Sequence, residues 1–188
     1  IQGADAIPAF GNASWIWVAG EDAQSAPVGA AWFITEVEVR RDSMIESAML
    51  YVAADNSARI IINGKARYKN TGWLQAFSSD IKTALEQGKN QLAFYVVNDS
   101  TAPNPAGLLA HLEIKYRDGS IQTIVSDKSW RASRTEGRAS MLPGNESRKW
   151  PGAQELGAAD MAPWHVEGTK QHNLPLFRKT FAIENKPI

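Results

Sequence analysis

Hydrophobic and polar positions alternate over short stretches of this chain, and turn-forming residues break each stretch. Ala31–Val39 (AWFITEVEV) is rich in β-branched and aromatic residues. In Ser47–Ala54 (SAMLYVAA), Leu50 and Val52 fall on one face and Met49 and Tyr51 on the other. Asp55-Asn56-Ser57 interrupts the pattern. Arg59–Ile62 resumes it and ends at Asn63-Gly64, the strongest short hairpin signal. Gln91–Asn98 follows the turn Gly88-Lys89-Asn90. Leu108–Tyr116 meets a second hairpin signal at Asp118-Gly119, and Ile121–Ser126 returns. Strands joined by tight turns predict an all-β fold, an antiparallel β-sandwich or jelly roll. The expected core is Leu50, Val52, Ile61, Leu92, Phe94, Val96, Leu112 and Ile114, with Trp130 buried beside it.

Helical signals are few. Ser79-Asp80 can cap a short helix or turn over Ile81–Glu86, closed by Gly88. Arg134–Gly168 is rich in Gly, Pro, Ala and Ser and shows no periodicity. A long irregular segment is expected there, anchored by Trp150 and Trp164. Leu176–Ile183 alternates again as a strand. The pattern divides the chain into a sandwich over residues 10–168 and a C-terminal strand, or lead-in to a further module, over residues 169–188.

Composition narrows the functional classes. At 188 residues the chain has the size of one domain. Twenty basic and twenty acidic residues cancel, so there is no basic excess to suggest nucleic acid and no reason to expect docking on an anionic membrane. The longest apolar runs, such as Ala48–Ala54, are far too short to span a bilayer. Without cysteine there is no disulfide framework, thiolate zinc site or cysteine nucleophile. The start, Ile1-Gln2-Gly3, reads as that of a processed or excised piece of a longer protein. Seven tryptophans are many for this length; indoles fill cores and also make platforms for sugar rings.

No familiar catalytic motif emerges. His111, His165 and His172 form no metal-binding pair. There is no G-x-S-x-G elbow, P-loop or dinucleotide fingerprint. Paired carboxylates for glycoside hydrolysis come from distant positions and leave no local signature. The most specific local feature is the strand end Ala53-Ala54-Asp55-Asn56-Ser57, which turns straight back into a second strand. Asp and Asn there are hard oxygen donors suited to calcium or sugar hydroxyls, and equally residues that make turns through their own backbone bonds. Asn98-Asp99-Ser100 with Pro103-Asn104-Pro105 is a second oxygen-rich strand end. Loops at one end of a sandwich cluster in space. Asp55, Asn56 and Asn98 are therefore the candidate site, with Trp73 from Asn70-Thr71-Gly72-Trp73 as its aromatic face.

Several blocks, in order, resemble one family. Ala48–Lys65 (AMLYVAADNSARIIINGK), Trp73, Asp80–Phe94, Asn98, Ala106-Gly107-Leu108, Asp118-Gly119 and Ser126–Arg131 (SDKSWR) are similar to the galactose-binding-like jelly rolls of bacterial glycoside hydrolases. The nearest kin are the rhamnose-binding, N-terminal modules of α-L-rhamnosidases. The resemblance covers Trp15 to Arg131, and Leu174–Phe181 looks like the lead-in to a further module. It implies a non-catalytic carbohydrate-binding module of a larger secreted enzyme, periplasmic or extracellular. The implied partners are a rhamnose- or galactose-type glycan and the parent's catalytic domain. It also implies a calcium ion held by Asp55, Asn56, Asn98 and a backbone carbonyl near Pro103. The alternative is a structural or docking domain of a glycosidase with the same fold and no sugar affinity. A third reading, a catalytic domain in its own right, lacks a motif. The Arg134–Gly168 segment departs from the family pattern and lies free to cover the site.

Overall fold

The computed structural model describes residues 10–74, 76–134 and 145–166. Its strands are β1 (Ser14–Trp17), β2 (Gly29–Val39), β3 (Ile45–Asp55), β4 (Ser57–Ile62), β5 (Lys65–Asn70), β6 (Phe77–Asp80), β7 (Gly88–Asn98), β8 (Gly107–Tyr116), β9 (Ile121–Val125), β10 (Arg131–Arg134) and β11 (Gln154–Ala158). A six-stranded sheet runs β11-β1-β8-β3-β6, with β9 also on β8, and a five-stranded sheet runs β10-β2-β7-β4-β5. Every pairing is antiparallel. The expected sandwich is the fold observed.

Strand alternation explains the core. Leu50, Val52 and Ala54 of β3 and Leu108, Ala110, Leu112 and Ile114 of β8 meet Leu92, Phe94 and Val96 of β7 between the sheets. Trp130 is buried there and tilts against Phe94 at 5.2 Å between ring centres. Ile61 is buried as expected, but in a separate cluster with Trp32, Ile34 and Ala93. The register opposing Ile61 to Ala93 and Ile34 to Ala93 places that cluster on the five-stranded sheet's outer face.

Both hairpins form where their turn residues lie. Asn63 and Gly64 have φ of 49° and 76° and join Ile62 to Lys65, the two-residue turn whose twist suits paired strands. The Asp118-Gly119 turn joins β8 to β9 through mutual hydrogen bonds between Tyr116 and Ser120 or Gly119.

One expectation holds and one is corrected. Ser79-Asp80 ends β6, with Asp80 opposite Met49, and caps the short turn expected after it. Asp80 Oδ1 then accepts from the Lys82 and Ala48 amides, and only a three-residue 3-10 turn, Lys82–Ala84, follows. The segment after Arg134 is less irregular than its composition suggests. A 3-10 turn spans Asn145–Lys149, Gly152 bridges to Arg131, and β11 completes the six-stranded sheet against β1. β11 carries mostly exposed or half-buried small and polar residues. Backbone bonds and the single packed side chain of Leu156 hold it, so no apolar period marks it. The C-terminal strand and the lead-in, residues 169–188, lie outside the described residues.

Candidate functional site

β3 ends at Asp55 and the chain crosses at once to the other sheet as β4. The Asp55–Asn56 peptide at this corner is cis. Leu50, Val52 and Ala54 face the core, so Tyr51, Ala53 and Asp55 face outward. Asp55 is nonetheless buried, because Trp164 covers it and donates its indole N–H to Asp55 Oδ2 at 2.9 Å. Trp164 stacks on Trp15 at 4.4 Å and 23°. Trp15 in turn donates to the Ala159 carbonyl. Gly107 lies opposite Asp55 on β8. A Cβ there would sit 2.7 Å from the Trp15 ring and 3.2 Å from Trp164, so glycine lets both indoles lie flat on the sheet. Trp73 packs half-buried on this same cluster, and Leu74 beside it is 83% exposed. Asn70 Oδ1 accepts from the Ala54 amide and ties the Trp73 loop to the end of β3.

Asn56 and Asn98 belong to the end of the sandwich. The Asn56 amide donates to the Val97 carbonyl at 2.8 Å, and Asn56 Oδ1 accepts from the Asp99 amide at 2.7 Å. Asn98 continues the inward set Leu92, Phe94, Val96 and is fully buried. Its Nδ2 donates to the Ala26 and Pro27 carbonyls at 3.1 and 3.2 Å. The Asn104 amide donates to the same Ala26 carbonyl, and the Ala26 amide donates back to the Asn104 carbonyl. Three loops thus meet here, at residues 20–28, 55–57 and 98–106, with exposed Pro103 on the rim. Asn98 Oδ1 and Asn104 Oδ1 are buried without a hydrogen-bond partner.

The expected site is therefore divided. Asn56, Asn98 and the Pro103 loop come together at the end of the sandwich. Asp55, though next to Asn56 in the chain, turns its carboxylate into the tryptophan cluster that also holds Trp73. Among the described residues, no group of three or more His, Cys, Asp or Glu is placed to hold a metal ion. The oxygens available at the loop end are amides and carbonyls, which calcium accepts. Sequence reading missed Trp164 as the partner of Asp55, 109 residues away, and no local signal could have found it. Asn104 was within reach, as an amide between two prolines at an oxygen-rich strand end.

Burial pushes the Asp55 carboxyl above the ordinary 3.8, and the Trp164 hydrogen bond opposes this. Folding then favours the protonated acid. That contribution is fully present below 3.8 and is lost as pH rises through the folded value. Asp55→Asn keeps an acceptor for Trp164 and removes the charge. The variant is expected to melt higher than the parent at about pH 7, with the gain vanishing near pH 3. Thermal melts across this range check it, and equal shifts at both ends would show that ionisation is not involved.

Comparison with known proteins covers most of the chain. Residues 43–148 match the family model described as the alpha-L-rhamnosidase N-terminal domain. An alpha-L-rhamnosidase of Streptomyces avermitilis is 29% identical over 155 residues, covering 67% of this chain and 15% of that protein. The crystal structure of Streptomyces avermitilis alpha-L-rhamnosidase complexed with L-rhamnose superposes with a TM-score of 0.74 at 28% identity, over 84% of this chain and 16% of that one. The apo Pleurotus ostreatus lectin superposes at 0.67 with 28% identity, over 81% of this chain and 44% of the lectin. This chain spans only a small fraction of the rhamnosidases it matches. The family match takes in more than half of the chain, from the start of β3 to the 3-10 turn after β10, and so this chain belongs to the alpha-L-rhamnosidase N-terminal domain family.

Proposed function

We propose that this chain is a non-catalytic glycan-binding module of a larger secreted α-L-rhamnosidase-type enzyme, working in the periplasm or outside the cell. Its ligand is a rhamnose- or galactose-type sugar, taken at the loop end around Asn98. The observation that carries the reading is the pair of buried, unpartnered amide oxygens, Asn98 Oδ1 and Asn104 Oδ1. Leaving a buried acceptor unsatisfied costs about 1–3 kcal/mol. A sugar hydroxyl or a hard cation offsets that cost, whereas an apolar ligand does not. The amide oxygens of Asn56, Asn98 and Asn104 and the carbonyl near Pro103 would hold calcium. When bound, the ion supplies positive charge that draws sugar hydroxyl oxygens to the same loops. Asn98 is held by two carbonyls, so its oxygen keeps one direction and needs little reordering on binding. Trp73, half-buried on the neighbouring tryptophan cluster, is the aromatic face proposed to flank the sugar. The likeness to a rhamnosidase solved with L-rhamnose supports a glycan ligand.

A second reading has its own support. Trp164 occupies the one carboxylate expected to serve a cation, as in a domain that keeps the fold and gives up the sugar.

Calorimetry of the chain against L-rhamnose, galactose and N-acetylgalactosamine, with and without calcium, separates the two. The module is expected to bind one of these sugars, with Asn104→Ala abolishing the heat and leaving the melting curve in place, since the Asn104 backbone carries its structural bonds. Trp73→Ala is expected to weaken binding about tenfold, within the ~1–3 kcal/mol for a lost stacking partner. No heat with any sugar, with or without calcium, would leave the structural domain.

A further inference from the structure

The outer face of the five-stranded sheet carries a polar cavity, on the opposite side of the sandwich from Asp55. Its volume is about 260 Å³. Ile34 is among its lining residues, and Glu36, Gln91, Ser129, Arg131 and Arg148 supply its chemistry. The register explains the assembly. Arg131 lies opposite Ile34 and Gln91 lies opposite Glu36, so all four share one face. The 3-10 turn Asn145–Lys149 adds Arg148, and Trp150 just beyond packs on the Trp32–Ile34 cluster.

Arg131 donates one N–H to the Trp150 carbonyl at 2.9 Å, which fixes its guanidinium and leaves other N–H donors for a ligand. Among the described residues, neither Arg148 nor Glu36 forms an ion pair. Ser129 Oγ donates to Asp127 and so meets a ligand as an acceptor. The cavity is small and polar, which suits neither an apolar ligand nor a large one. A neutral sugar would leave two guanidiniums without a counter-charge. A simple anion would face the Glu36 carboxylate with nothing to donate to it. One ligand class satisfies both walls: a ring that carries a carboxylate for the planar guanidinium forks and hydroxyls for Glu36 and Gln91.

We propose that this cavity binds an acidic sugar, a hexuronate unit of a glycan, with Arg131 and Arg148 on its carboxylate and Glu36 and Gln91 on its hydroxyls. The site is independent of the loop end and of the reading given for it. Titration calorimetry of the chain with D-galacturonate and D-glucuronate, beside galactose, L-rhamnose and acetate, tests it. A uronate is expected to bind, with Arg148→Ala weakening it at least tenfold and Glu36→Gln weakening it too. Arg148 is exposed and, among the described residues, outside any ion pair, so the variant is expected to fold as the parent does. Asn104→Ala is expected to leave uronate binding unchanged. No heat from either uronate overturns the proposal. So does acetate binding as tightly as a uronate, or neutral-sugar binding that equals it and survives Arg148→Ala.

Discussion

Trp164→Ala is expected to lose about 3–5 kcal/mol of stability, the range for removing a buried large aromatic. The indole is 1% exposed and stacks on Trp15, with Ala53, Leu109 and Val166 in the same cluster. Its removal opens a cavity over β3 and β8 and takes the hydrogen bond from Asp55 Oδ2. It also frees the turn that closes β11, where the His165 amide donates to Met161 and the Val166 amide to Ala159. In a domain of this size each kcal/mol shifts the melting point by roughly 2–4 °C. Trp164→Phe keeps an aromatic stack but loses the indole N–H and one ring, so it is expected to cost less than Trp164→Ala. Urea unfolding of both variants measures how the loss grows with the aromatic volume removed. A loss below about 1 kcal/mol for Trp164→Ala would mean that the cluster is not a rigid part of the fold.

Gly152→Ala is expected to cost toward the upper end of the ~1–3 kcal/mol typical of overpacking. An added Cβ would meet the Lys128 carbonyl oxygen at 2.7 Å, an atom of the backbone that cannot rotate away. Residues 150–153 form a strap across β10, tied on both sides of this glycine by the Ala132 amide to the Pro151 carbonyl and by the Ala153 amide to the Trp130 carbonyl. Relief of the clash must therefore move β10 or the strap. Either shift displaces Arg131, whose backbone bridges Gly152 and whose side chain holds the Trp150 carbonyl. Uronate binding is expected to fall with stability in this variant. The same substitution at Gly20, where a Cβ meets nothing within 4 Å, is the control for crowding, its cost arising from backbone conformation alone at φ of 85°. Equal melting points for Gly152→Ala and the parent would show that the strap is loosely held.

The sandwich was legible because its signals are local. Asn63-Gly64 turns where it stands, and the alternation of Leu50 and Val52, or of Leu92, Phe94 and Val96, states which way each strand faces. Alternation does not say which side of a sheet becomes the core when both sides are covered. That is why Ile61, apolar and buried, belongs to an outer cluster and not to the sandwich interior. β11 escaped notice because, apart from the half-buried Leu156, it is held against β1 by backbone bonds and carries no apolar alternation. The candidate site was legible only in part. Asn56 and Asn98 end strands that meet, and turn chemistry marks both. The direction of the Asp55 carboxylate depends on a tryptophan more than a hundred positions later. The Arg131–Arg148 cavity depends on which strand β10 joins and on a strap that returns across the sheet. Contacts of that separation leave no spacing rule in a single sequence.

The loop end around Asn98 carries the functional account, and side-chain amide resonances read it directly. In a titration of the isotopically labelled chain with L-rhamnose in the presence of calcium, the Asn98 and Asn104 amide signals are expected to shift together and saturably, with those of Asn56. The distant Asn63 and Asn90 amides, which hydrogen-bond each other, are expected to stay fixed. Unmoved Asn98 and Asn104 signals at saturating sugar, with or without calcium, would contradict the account.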